Sequence, residues 1–181
     1  MTIPAEIGIW AAVTVSAAGA VTDILWRRVP NWLTVPAAIA GLGLGAVAGG
    51  WHGIALAASG MAIGLGLGVL AMLFGAPFGG GDAKLLAAIG ALAGIPFLAS
   101  AACYGAIAGG LIAIAVALGT GRLKQAVNAI VTFTAASAGR TRPISLEAVS
   151  TGLTIPFAVA LAAGAIAAAI LPPPWALIAV A

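Results

Sequence analysis

The chain has 181 residues, 63% of them apolar and only 6% charged, and its mean hydropathy is +1.22. Soluble domains carry roughly 25% charged residues, so this composition excludes an ordinary soluble fold and points to a membrane protein. The formal charge of +3 comes from basic residues flanking apolar runs, which act as topology signals and leave no basic surface for nucleic acid.

The first apolar run is preceded by Glu6 and by no Lys or Arg, the wrong sign for the start of a secretory signal peptide. It therefore reads as a first span. A bilayer core about 30 Å thick takes roughly 20 helical residues to cross, and runs at about 5–22, 33–50, 54–75, 83–95, 97–118 and 153–171 meet or approach that length. Pro30 and Asn31 turn the first run into the second, because proline lacks a donor and disfavours helical geometry in the residue before it. Trp51-His52-Gly53 reads as a minimal loop. Pro77 to Gly81 break the third run from a fourth that starts at Asp82, and Pro96 separates the fourth from the fifth.

Residues 119–152 form the one extended polar stretch. Within it Leu123, Val127, Ile130 and Val131 recur at helical spacing opposite Lys124, Gln125 and Asn128, the pattern of a helix lying on a membrane surface. The expected fold is an all-α membrane protein, one polytopic domain over 1–181 with six transmembrane helices and a cytoplasmic amphipathic segment between helices 5 and 6. The 26 glycines suit helix contact in lipid, where small side chains let backbones approach. Gly64-Leu65-Gly66-Leu67-Gly68 is accordingly expected to be a packing face. Cys103, the single cysteine, excludes an intrachain disulfide and a multi-cysteine zinc site, and reads as small core filler.

Alternating six spans puts the segments 23–32, 76–84 and 119–152 on one side, with all seven Lys and Arg residues among them. That side is expected to be cytoplasmic and both termini to lie outside, across a bacterial or archaeal plasma membrane. Trp26 and Trp32 then fall at the inner boundary, and Trp51 and Trp175 at the outer one.

Chemistry is concentrated in few residues. The two aspartates are Asp23 and Asp82, the latter within Gly79-Gly80-Gly81-Asp82-Ala83-Lys84. A phosphate-binding loop would need Gly-Lys-Ser/Thr, and an acidic residue here would repel phosphate. Asp82 has a structural explanation as an N-cap of an apolar helix. Asp23, at a helix end where negative charge opposes the dipole, has one in an ion pair with Arg27. Ionisable groups at membrane depth are nevertheless functional candidates, and two carboxylates that meet hold one proton between them. The ionised member can then activate water while the protonated one donates to a carbonyl oxygen or a leaving amine. That is peptide hydrolysis with no metal and no cofactor. Gly79, Gly80 and Gly81 would let a substrate backbone come close. Lys84 reads either as a topology anchor or as a charge acting on Asp82 or on an acidic substrate side chain. His52, Glu6 and Glu147 read as boundary residues without a chemical role.

Asp23-Ile24-Leu25-Trp26-Arg27-Arg28-Val29-Pro30-Asn31 together with Gly79-Gly80-Gly81-Asp82-Ala83-Lys84-Leu85 resembles the paired signature of the type IV prepilin peptidases, aspartic enzymes of the Gly-x-Gly-Asp type. Ile155-Pro156-Phe157-Ala158 is similar to that family's closing Pro-aromatic segment. The resemblance implies an endopeptidase that removes the short basic leader, a class III signal peptide, from prepilins or pseudopilins at the cytoplasmic face, with Asp23 and Asp82 as catalytic pair and Gly79 and Gly81 shaping the loop. The chain lacks the N-terminal cytoplasmic region and cysteine tetrad of the larger bifunctional members. It thus looks like the short, peptidase-only branch associated with Flp-type pili and tight adherence, without N-methyltransferase activity. Its implied partners are the bilayer and a precursor with an N-terminal transmembrane helix.

Two other classes compete. A small proton- or cation-conducting transporter would use Asp23 and Asp82 as relays and would need further polar groups near mid-bilayer, where the chain offers Ser16, Ser59, Ser100 and Tyr104. An inactive assembly subunit of a pilus machine would not need intact aspartates.

Overall fold

The computed structural model describes residues 3–73, 79–121 and 157–178, and among them the chain is entirely helical with no strand. The elements are α1 (Ile3–Trp26), α2 (Asn31–Leu73), α3 (Gly80–Gly119), α4 (Phe157–Ile170) and the short α5 (Pro174–Ile178). Three of them, α1, α2 and α3, are long and apolar enough to cross a membrane. The amphipathic pattern at 123–131, Glu147 and residues 153–156 lie outside the described residues.

Two of the long helices are broken. In α2 the break falls at Gly49 and Gly50, the latter at φ 56° and ψ −133°, a conformation that only glycine adopts without strain. A Cβ added at Gly45 would lie 2.5 Å from the Gly53 carbonyl oxygen, whereas eight residues of straight helix span roughly 12 Å. The chain therefore folds back on itself there. Trp51, His52 and Gly53, expected to form the loop, belong to the second arm of α2, and the turn is made by the two glycines before them. In α3 the break is at Gly94, φ 77° and ψ 176°, and not at Pro96. Proline sits just beyond the break, in the first turn of the next arm, where its missing N–H leaves no bond unmade.

By contacts the chain forms two units, Met1–Gly109 with Pro156–Ala181, and Gly110–Ile155. The described part of the second unit is the end of α3 and the turn after it, closed by Thr120 N–H donating to the Val116 carbonyl at 3.0 Å.

The core of the first unit is built on the first arm of α3. Leu85, Ile89, Leu98 and Leu161 are its largest fully buried apolar side chains, and α1 packs along α4 and against α2. The second arm of α2 meets α3 through glycines four residues apart. Gly60 abuts Gly90, Gly64 abuts Leu86, and Gly68 abuts Ala83, where an added Cβ would lie 2.5 Å from the Ala83 Cα. As the α2 number rises the α3 number falls, so the two arms run antiparallel. This is small-xxx-small contact, which brings backbones together where burial from water offers no drive. Of the expected packing face, Gly64 and Gly68 join it, while Gly66 has open space around it, because a position two residues on points to another side of the helix. Cys103 is exposed and is not core filler. In a bilayer a lipid-facing position accepts the same apolar residues as the core.

One set of ends brings together Asp23, Trp26 and Arg27 of the α1 end, Asn31 and Trp32 of the α2 start, and Gly80, Gly81 and Asp82 of the α3 start. At the other, Ala48 and Gly53 beside the α2 turn, Gly94, Pro173 and Trp175 line an apolar cavity of about 680 Å³ with no acidic or basic residue among the described residues that line it. The tryptophans thus divide as expected, Trp26 and Trp32 at one end and Trp175 at the other.

Candidate active site

Asp82 is placed by the start of α3. The Gly79 carbonyl accepts from Asp82 N–H at 3.0 Å and from Ala83 N–H at 3.4 Å, so Gly79 is the helix cap and Asp82 lies three residues inside. Its Oδ2 accepts from the Gly79 N–H at 3.0 Å. This is the backward-reaching half of a capping box, and it corrects the expectation that Asp82 itself is the N-cap. The residue is 8% exposed.

Asp23 lies in the last turn of α1. Its carbonyl accepts from Arg27 N–H at 2.8 Å, and Arg27 has φ 51°, which makes it the left-handed residue that ends the helix. That position usually belongs to glycine. The expected Asp23–Arg27 ion pair does not form, and the Asp23 carboxylate has no hydrogen-bond or ionic partner among the described residues.

The connection from α1 to α2 lies against the start of α3. A Cβ at Gly81 would come 3.0 Å from Val29 Cβ and 3.2 Å from Val29 N and O, so the absence of a side chain there is what lets the connection lie close. Gly80, by contrast, has open space around it. Lys84 Nζ donates to Asn31 Oδ1 at 2.9 Å, joining the first residue of α2 to the first turns of α3.

These groups surround a cavity of about 900 Å³ whose acidic lining residues, among the described residues, are Asp23 and Asp82, with Arg27, Arg28 and Lys84 as its basic ones. Two acids far apart in the chain are thus brought to one polar cavity, together with Gly79, Gly80, Gly81 and Lys84. His52 is exposed on the second arm of α2 and does not line it. Val29 and Asn31 belong to the Asp23 motif, where the sequence by itself assigns them no role. No sequence signal pairs Asn31 with a lysine on another helix.

A model of the type IV leader peptidase family matches residues 10–114, more than half of the chain and all of this cavity's lining. The chain belongs to the type IV leader peptidase family. No curated protein and no solved structure matches it. Membership makes the protein a peptidase, and its three long apolar helices make it a membrane protein. Both aspartates of this leader peptidase fall within the matched region, as do the glycine turn and Lys84.

Proposed function

We propose that this peptidase is an aspartic endopeptidase that cleaves the short basic leader from type IV or Flp-type prepilins and pseudopilins at the cytoplasmic membrane face, with Asp23 and Asp82 as the catalytic pair. The observation that carries the reading is that the two acids line one cavity at one set of helix ends. Two carboxylates that close on one another share a single proton. The ionised carboxylate takes a proton from water as it attacks the scissile carbonyl, the other carboxyl donates to the carbonyl oxygen, and the proton then passes to the leaving amine.

The surroundings support this substrate class. A precursor with an N-terminal transmembrane helix presents its leader at the bilayer boundary, where the exposed Trp26 and Trp32 flank the cavity. The cytoplasmic orientation is supported by the placement of Arg27, Arg28 and Lys84 at this end. Conduction is the weaker reading. Ser16, Ser59 and Ser100 donate their hydroxyls to carbonyls of their own helices, and Tyr104 donates to the Pro172 carbonyl at 2.6 Å, which favours hydrolysis over a polar relay.

Co-expression with a candidate prepilin tests the assignment, with leader removal scored by mass shift. Asp23→Ala and Asp82→Ala are each expected to lower processing by about 10²–10⁴-fold, the range of general acid–base catalysis. Full processing by either variant rejects the pair.

A further inference from the structure

Lys84 faces the cavity of the two acids yet forms no ion pair with either. Its ammonium donates to Asn31 instead, in the one hydrogen bond between two side chains among the described residues. Asn31 opens α2, and the short connection before it runs directly from the turn that carries Asp23. That connection touches the start of α3 at two points, Val29 on Gly81 and Asn31 on Lys84. Asp82 lies between those two α3 positions in sequence. Whatever holds the connection to α3 therefore sets how closely Asp23 approaches Asp82.

We propose that Lys84 is a positioning residue that acts through Asn31, clasping the α1–α2 connection to the first turns of α3 and fixing the approach of Asp23 to Asp82. The inference rests on the reading of those aspartates as the working pair. It separates Lys84 from two other roles, a charge that tunes Asp82 and a contact for the substrate, because neither of those requires Asn31. A lysine on a flexible stem is suited to span the two elements, and misplacing a catalytic group by about 1 Å can lower a rate on the order of 10²-fold.

The test uses full-length protein in detergent with a prepilin precursor, and compares Lys84→Met, Asn31→Leu and their double variant with Lys84→Arg and Asn31→Asp, which keep a donor and an acceptor. The clasp predicts that Lys84→Met and Asn31→Leu each lower kcat on the order of 10²-fold with little change in KM, that the double variant is no worse than the poorer single one, and that Lys84→Arg and Asn31→Asp recover most of the rate. Wild-type kcat in Asn31→Leu beside a loss in Lys84→Met, or losses that multiply, overturns it. A second readout needs no activity. Amide hydrogen exchange in the α1–α2 connection of the full-length protein is expected to speed up when Lys84→Met or Asn31→Leu is introduced. Unchanged exchange overturns the clasp. Full processing by Asp23→Ala and Asp82→Ala instead removes the catalytic reading, and the exchange rate still decides the clasp by itself.

Discussion

Arg27 holds a backbone conformation, φ 51°, that costs an L-residue with a Cβ roughly 1–2 kcal/mol. It does so one turn after Asp23, at the point where α1 must stop for the chain to reach Asn31. Arg27→Gly and Arg27→Ala both remove the guanidinium, but only glycine removes the Cβ. The glycine variant is therefore expected to be more stable than the alanine variant by about 1 kcal/mol, the reverse of their order inside a helix, as read from thermal unfolding in detergent. Equal stability would show that the turn relaxes on its own. At this scale the sequence was partly legible. Asp23 and Asp82 stood out because acids are rare in so apolar a chain, but three consecutive glycines gave no way to tell which one caps α3. Gly79 does so, through its own backbone, which moves Asp82 inward and gives its carboxylate the Gly79 N–H as a partner. Nor does any local pattern reveal that Lys84 finds Asn31, since that bond depends on how two helices cross.

At the scale of the helices, the contact of α2 with α3 turns on which glycines face inward. Gly64 admits no Cβ against the Leu86 carbonyl, while Gly66 has nothing near it. Gly64→Ala is expected to destabilise by about 1–3 kcal/mol, the range for overpacking a close contact, and Gly66→Ala to be neutral or mildly stabilising through helix propensity. Detergent unfolding midpoints, or steady-state membrane levels, distinguish them. Equal effects would mean the two arms are not in this register. The glycine repeat was legible as a packing face because periodicity of small residues survives in an apolar sequence. The helix breaks were less so. Pro96 and the bulky Trp51-His52 pair looked like punctuation, yet the chain breaks at Gly50 and Gly94, where a positive φ is needed and apolarity on either side is unchanged.

For the molecule as a whole, hydropathy separates membrane from water but not lipid from core, since tails and packed side chains are equally apolar. Cys103 shows this, being predicted inside and found exposed. What orients the chain is charge. Under the proposed orientation, which puts the basic residues on the cytoplasmic side, His52→Cys in a Cys103→Ser background is expected to react with an impermeant maleimide in intact cells, and Arg28→Cys only after permeabilisation. The opposite pattern would invert the topology. The fold also gives the two acids unequal mechanical surroundings. Asp82 begins an arm whose residues from Ala83 to Leu92 are almost all buried, with the glycines of α2 pressed against its backbone, whereas Asp23 hangs from a helix end whose neighbours Ile24, Leu25 and Trp26 are more than 60% exposed. Under the proposed function a precursor would therefore meet Asp82 set in the packed core and Asp23 on the open α1 side, the side by which its leader reaches the cavity.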